Sequence, residues 1–437
     1  MDKFPSTKFE RGKIFTKAGL KVGTNYAKHH LDRVIKKKEA NTADLHRSNA
    51  NELFKAFTQL RGTALKIAQS ISVDNSGLLP DEFMDVMSQA QYKVPPINPM
   101  LVRSLVKREL GDYPENLFEH FDLNAIAAAS IGQVHEAYHK DYGKLAVKIQ
   151  YPNVRETIQS DLKMAKTIFK QVVKSAQTDS YFAEIQERLL EETDYLLEGT
   201  RMESFYKQYA SDTIETPRYV SDLSSSRVLT MTFLEGKHLQ EFLNTNPNAE
   251  KRNHFGQILW DFFHNQINEN RTIHADAHPG NYKFMENGKL GILDFGCVKT
   301  FPKAFFDSYM SALPLHKNDD EERLNRLYQE LEILSSEPGK SGVNAEYFDF
   351  FKTFGDTFIR PYREDRFSFD NAAYKTELSN HLKKATSFKE PVGSRHFIYS
   401  AKTHMGLYTM LMELKAEVST THSVEQLTNY LKSAGKI

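Results

Sequence analysis

Hydrophobic residues recur along this chain at two spacings, and the change from one to the other divides it. Between Asn49 and Ser72, the residues Leu53, Phe54, Phe57, Leu60, Ala64, Leu65, Ala68 and Ile71 fall near helical spacing, which predicts one amphipathic helix. Residues 1–48 before it read as helical, amphipathic and basic, and a further helix is expected over Asp81–Gln91. Val94-Pro95-Pro96-Ile97-Asn98-Pro99 interrupts the pattern and reads as a linker, because proline lacks an N–H and restricts the residue before it. Met100–Leu110 resumes a helix, with Gly111 positioned to cap it. The period then shortens to two. In Lys144–Gln150, Leu145, Val147 and Ile149 face one way and Ala146, Lys148 and Gln150 the other. With Val134–His139 across a turn at Asp141-Tyr142-Gly143, this predicts an antiparallel hairpin. Long helices are expected over 153–176 and 180–210, strands at Arg218–Val220 and Arg227–Phe233, and several helices over 303–437. Tyr282–Met285 and Leu290–Leu293 flank Asn287-Gly288, a tight hairpin signal.

A chain of 437 residues exceeds the length at which one core keeps growing, so two or three domains are expected. The pattern divides it into a helical extension over 1–99, a small lobe of strands and helices over 100–235, and a mostly helical lobe over 236–437. Hydrophobic content of 40% and charged content of 26% fit a soluble globular protein. Basic and acidic residues both number 57, so net charge gives no reason to expect nucleic acid as a partner. Positive charge is concentrated in one place, the arm from Lys3 to Lys38. Solvated surface is the plainer reading of that arm, and contact with an anionic membrane the functional one. No apolar run approaches the roughly 20 residues of a membrane span, and no apolar leader segment opens the chain. Cys297 is the single cysteine, which excludes a disulfide within the chain and suits a reducing compartment. The expectation is a cytoplasmic protein whose contact with a membrane, where it occurs, is peripheral.

The candidate chemistry gathers at His274-Ala275-Asp276-Ala277-His278-Pro279-Gly280-Asn281 and, one hairpin later, at Asp294-Phe295-Gly296. Protein kinases use an acid near the nucleophile, an amide for one magnesium ion and a second acid for the metals, and Asp276, Asn281 and Asp294 follow that layout. Zinc is the rival, since His274 and His278 stand four apart as in His-Glu-x-x-His. That motif needs a helix, which Pro279-Gly280 breaks. Two solvated histidines in a turn would explain the octet alone, but not with Asp-Phe-Gly following it. Lys148, in the middle of an apolar strand, would by itself most simply point to solvent. It gains a nucleotide-phosphate role from a prospective partner, Glu198, on a helix whose Glu187, Glu191, Asp194 and Glu198 form an acidic stripe opposite Ile185, Leu189 and Leu196. Ala127-Ala128-Ala129-Ser130-Ile131-Gly132-Gln133 precedes the first strand; small residues there would let backbone N–H groups approach phosphate oxygens, although an alanine-rich run is more often helix or core.

With these pieces in order, the chain from about residue 50 to its C-terminus resembles the UbiB family of atypical kinase-like proteins, associated with ubiquinone biosynthesis. The marks are Lys66-Ile67-Ala68-Gln69 for the family's Lys-x-Gly-Gln, the alanine-rich loop, Lys148 in Ala-Val-Lys, Glu192-Thr193-Asp194 for Glu-x-Asp, Glu198, the octet and Asp294-Phe295-Gly296. The resemblance implies an α+β, two-lobed protein-kinase-like fold whose N-terminal helical extension packs over the active site. It implies ATP and Mg2+ as cofactors, with Ala127, Ala128, Ala129, Ser130, Gly132, Gln133 and Lys148 at the nucleotide. It further implies that Lys66 and Gln69 contact Glu192 and Asp194 and restrict the phosphoryl acceptor. Two residues depart from the pattern: Ala68 replaces the signature glycine, and Ala277 stands where the family has proline.

The residues agree with the family on one negative. No Ala-Pro-Glu segment follows Asp294-Phe295-Gly296, so a peptide-docking activation segment is not expected and the acceptor is expected to be water or a small or lipid-like molecule, a quinone-like one by the resemblance. Two functions follow: an Mg-ATP-dependent kinase-like ATPase acting in quinone or lipid metabolism, or a nucleotide-binding scaffold regulating a biosynthetic complex without essential turnover.

Overall fold

A computed structural model describes residues 8–34, 42–60, 62–72, 81–87, 96–128, 131–172, 178–318, 320–334, 341–385 and 393–437. The chain forms two compact units, one of residues 1–200 with 218–233, the other of 201–217 with 234–437.

The first unit opens with four helices, α1 (Lys8–Val34), α2 (Thr42–Leu60), α3 (Gly62–Ser72) and α4 (Asp81–Met87). The single helix expected over Asn49–Ser72 is therefore two. Gly62 sits at φ +50, in the left-handed region that a side chain disfavours, and there the helical path restarts. Residues 88–91 of the helix expected over 81–91 lie outside the described residues. Next come α5 (Pro99–Leu110), closed by Gly111 at φ 91, and the four-residue α6 (Pro114–Leu117). The strands β1 (His120–Phe121), β2 (Ala127–Ala128), β3 (Gly132–His139), β4 (Gly143–Gln150) and, later in the chain, β6 (Val228–Thr232) form one antiparallel sheet ordered β1-β3-β4-β6, with β2 also on β3. The hairpin expected at 134–150 is its centre. Arg218–Val220 contributes a single bridge, Tyr219 to Met231, rather than a strand.

Three helices follow β4: α7 (Val154–Val172), α8 (Thr178–Glu192) and α9 (Tyr195–Tyr209). The helix expected over 180–210 is broken at Thr193-Asp194. The Asp194 carboxylate accepts the Leu197 N–H at 3.1 Å, satisfying a free donor at the start of the new helix. One core runs through the unit, from Phe15 and Phe57 on the first helices to Ile158 on α7, Val147 on β4 and Val228 on β6. A buried ion pair fastens α1 to α7: Arg11 Nε donates to Asp161 Oδ1 at 2.9 Å, and its Nη1 donates to Leu60 O at 3.0 Å. Burial pushes the Asp161 carboxyl up despite this partner, because the charged form pays more in lost hydration than Arg11 returns.

The second unit is built round α11 (Ala249–Asn270). It contains β5 (Ile214–Glu215), α10 (Leu239–Leu243), β7 (Thr272–His274), β8 (Tyr282–Phe284), β9 (Leu290–Ile292), β10 (Val298–Thr300), α12 (Lys303–Lys317), α13 (Glu321–Glu330), α14 (Ser341–Phe358), β11 (Arg366–Ser368), α15 (Ala372–Ala385), α16 (Arg395–Leu414), β12 (Glu417–Ser419) and α17 (Thr421–Ser433). The Asn287-Gly288 hairpin is present as β8–β9, with Gly288 at φ 85, and β5 adds to β9 in parallel. The β11–β12 pair in the C-terminal region was not expected among its helices.

Candidate active site

In the first unit the arrangement starts from β4. Lys148 lies opposite Val134 of β3 and Leu229 of β6, so its backbone is fixed from both sides. Leu145, Val147 and Ile149 are buried on one face, and alternation sends Lys148 to the other. There its Nζ donates to Glu198 Oε1 at 2.8 Å and Oε2 at 3.0 Å. Lys148 is 12% exposed and Glu198 2%. The break at Thr193-Asp194 makes this meeting happen: it interrupts the acidic stripe, turning Glu198 inward while Leu196 becomes 47% exposed. Glu198 also falls in the first turn of α9, where the helix dipole favours an anion. Sequence reasoning missed the third member, Tyr195, whose ring centre lies 5.1 Å from Lys148 Nζ.

The alanine-rich loop begins as β2, with Ala127 opposite Val134 and Ala128 opposite Gln133; Ala129 and Ser130 lie outside the described residues. Gly132 is required for packing. A Cβ there would sit 2.6 Å from Ile149 O and 2.8 Å from Tyr195 Oη. Gln133 is fully buried: its Oε1 accepts the Ile97 N–H at 2.8 Å, and its Nε2 lies 2.9 Å from His135 Nε2. Its side chain thus ties the linker to the sheet.

On α3, Lys66 Nζ pairs with Glu192 at 2.9 Å, both 25% exposed, while Ala68 is buried in the core. Asp194 caps α9 and faces Arg155 at 3.8 Å. The Gln69 side chain lies outside the described residues.

In the second unit the octet is held between two strand pairs. His274 ends β7 opposite Val298, and the Ala275 N–H donates to Cys297 O at 2.9 Å. A single 3-10 turn over Pro279–Asn281 leads into β8, and Leu293 N–H donates to Asn281 O at 2.8 Å. The β8–β9 hairpin therefore brings Asn281 and Asp294 to the same end. Asn281 Nδ2 donates to Asp276 Oδ2 at 2.8 Å and to Asp276 O at 3.1 Å, which turns its Oδ1 away as an oxygen acceptor. Asp294 is exposed at φ 57; its Oδ1 accepts the Gly296 N–H at 3.0 Å. Phe295 is fully buried, its ring 5.1 Å from Phe205. Burial, with the Asp276 charge adding to it, pushes the Tyr282 phenol far above its usual range.

His274 has a task the sequence did not reveal. Its buried ring places Nε2 2.7 Å from Asp294 O and 3.1 Å from Leu293 O, so this nitrogen carries the proton and clasps the strained backbone at Asp294. Arg201 adds a second clasp, donating to Gly296 O at 2.9 Å. Nε2, donating to carbonyls, has no lone pair for a metal; the other ring nitrogen, Nδ1, is buried, while His278 is exposed with its Nδ1 accepting the Gly280 N–H, and among the described residues no three His, Cys, Asp or Glu side chains gather as a metal site. The histidine pair is not a zinc site. The oxygen donors of Asn281 and Asp294 instead fit a hard cation such as magnesium.

The fold is kinase-like. Residues 89–328 match the ABC1 atypical kinase-like domain, and the chain belongs to this family, in keeping with its resemblance to UbiB proteins. It is 27% identical over 367 residues to a Dictyostelium discoideum protein named probable serine/threonine-protein kinase abkA, covering 79% of this chain and 65% of that one. It is 27% identical over 363 residues to the atypical kinase COQ8, mitochondrial, of Saccharomyces cerevisiae, covering 81% and 72%. Two other relatives are spanned over less than half their length, 47% and 40%. Among solved structures it is similar to Rv3197 of Mycobacterium tuberculosis, determined in complex with erythromycin: TM-score 0.62, 26% identity, 88% of this chain and 97% of that one.

Proposed function

We propose that this protein is an Mg-ATP-dependent atypical kinase-like ATPase that supports quinone or lipid metabolism, with its acceptor restricted by the N-terminal helices. The observation that carries the reading is the two-point contact between Lys148 and Glu198. Burying two charges costs several kcal/mol each before their attraction is counted, so stability alone is a weak reason to keep them. A fixed ammonium that positions nucleotide phosphates is a sufficient reason.

In this reading Lys148 binds the phosphates and Glu198 fixes its rotamer, while the backbone at Ala127, Ala128 and Gly132 approaches them. Asn281 and Asp294 hold magnesium, which neutralises charge on the phosphate oxygens when bound. Asp276 orients, or takes the proton from, the attacking hydroxyl or water; its bond to Asn281 supports this role by fixing the carboxylate. The Lys66–Glu192 pair restrains α3 and so restricts the acceptor to water or a small lipid-like or quinone-like molecule. The short path after Gly296 supports that restriction: only residues 297–302 precede α12, too few for a peptide-docking segment. Among the described residues no helix is long and apolar enough to cross a membrane.

The test pairs ATP hydrolysis with complementation of a strain lacking the protein, using Asp294→Asn and Lys148→Arg. Loss of both hydrolysis and complementation supports catalysis. Full complementation by variants that have lost hydrolysis would sink it and leave the scaffold reading.

A further inference from the structure

Gly406 lies in α16, far along the chain from the octet, and its Cα is pressed against the octet's backbone. A Cβ added there would lie 2.4 Å from Ala277 O, 2.8 Å from Ala277 Cβ and 3.3 Å from Ala277 C. Two of these three atoms are backbone, so no rotamer change would relieve the contact. One turn earlier on the same helix, Thr403 Oγ1 donates to Tyr399 O at 2.9 Å and lies 3.4 Å from Ala275 O. Thus α16 lines the octet on both sides of Asp276.

The helix has little room to retreat, because its other contacts are anchored in the core. His404 is buried, with Nε2 2.7 Å from Tyr362 Oη and Nδ1 3.3 Å from Tyr309 Oη. Tyr362 Oη in turn lies 2.8 Å from His264 Nε2, and His264 Nδ1 lies 2.6 Å from Trp260 O. The Trp260 carbonyl can only accept, which fixes the direction of the chain. His264 Nδ1 donates to it, Tyr362 donates to His264, His404 Nε2 donates to Tyr362, and Tyr309 donates to His404. Two turns of the helix are further tied by Tyr408, whose hydroxyl donates to Phe358 O at 2.9 Å.

We infer that Gly406 is a positioning residue for the octet: the absence of a side chain there lets α16 set the Ala275–Ala277 backbone and, through it, the Asp276–Asn281 contact. The catalytic part of this inference rests on the Mg-ATP reading; the structural part does not. Gly406→Ala would shift the Ala277 peptide by a distance on the order of 1 Å, and a misplacement of that size costs about a hundredfold in rate. Crowding at the far end of the same helix is controlled by Gly256→Ala, whose new Cβ would meet Ala416 Cβ at 2.4 Å and Leu411 Cδ2 at 3.4 Å, more than a turn beyond Gly406, without touching the octet.

The experiment compares wild type, Gly406→Ala and Gly256→Ala in the full chain, by hydrogen exchange of the 274–281 peptide and by ATP turnover. For Gly406→Ala we expect at least tenfold faster exchange in that peptide and a kcat lower by about ten- to a hundredfold, with KM for ATP changed less than threefold. Gly256→Ala should leave both at wild-type values even where its melting temperature falls. Unchanged exchange at 274–281 in Gly406→Ala, or an equal change in Gly256→Ala, overturns the inference. Altered exchange with normal turnover overturns its catalytic part. If the wild type itself does not hydrolyse ATP, the Mg-ATP reading fails and exchange alone decides the structural claim. Should Gly406→Ala not fold, Ala277→Val crowds the same contact from the loop side and must give the same exchange signature.

Discussion

Replacing Glu198 by alanine gives the sharpest energetic test of the Lys148 arrangement. The carboxylate is 2% exposed and receives the ammonium at 2.8 and 3.0 Å, and Lys148 itself is only 12% exposed. Removing one member of such a pair typically costs about 3–5 kcal/mol, because the other charge keeps its desolvation penalty. Against a usual domain stability of about 5–15 kcal/mol this is a large fraction. Replacing both members by apolar residues of similar size removes the penalty with the attraction. Lys148→Met with Glu198→Leu is therefore expected within about 1–2 kcal/mol of wild type, while binding no Mg-ATP. Urea denaturation of the wild type, both single variants and the double variant closes the cycle, with nucleotide titration on each. A Glu198→Ala cost below about 1 kcal/mol would place the pair among solvent-screened surface contacts and refute the reasoning.

Lys66→Ala removes a pair that is a quarter exposed on each side, so stability should change by less than about 1 kcal/mol while autophosphorylation rises. Unchanged nucleotide preference and autophosphorylation would end the gating idea. The buried histidine chain makes a pH prediction. Burial lowers His264 to about 4 and pushes His404 well down. Above pH 6.5 the imidazoles are neutral in both folded and unfolded chains. As pH falls from 6.5 toward 4, the unfolded chain takes up protons that folded His264 refuses, so stability is lost across that window. For His264 alone this loss is on the order of a few kcal/mol. Urea midpoints at pH 7 and pH 4.5 measure it; equal midpoints would contradict the burial of this network.

Much of the candidate site's geometry was legible because its motifs are local. Asp276, Asn281 and Asp294 are separated by a turn and a hairpin, and an Asn-Gly pair announces that hairpin in the sequence. The meeting of Lys148 with Glu198 was legible for a different reason, since strand alternation sets the lysine opposite a buried face. Its cause was not. The acidic stripe assumed an unbroken helix, and the Asp194 cap, which stops one helix and starts another, turns Glu198 inward. The same kind of error joined α2 to α3 across Gly62, where periodicity continues although the backbone does not. His274, Arg201 and Gly406 were invisible for a third reason. Each acts on backbone atoms distant in sequence, through a bond or the lack of a side chain, and no local pattern records that.

The central claim is that Asp294 holds magnesium for a bound nucleotide. Calorimetric titration of ATP into the full chain, with and without Mg2+ and with Asp294→Asn beside the wild type, tests it most directly. The account predicts Mg2+-dependent binding by the wild type and at least tenfold weaker Mg2+ dependence in Asp294→Asn. ATP binding that ignores both Mg2+ and the Asp294 carboxylate would contradict it.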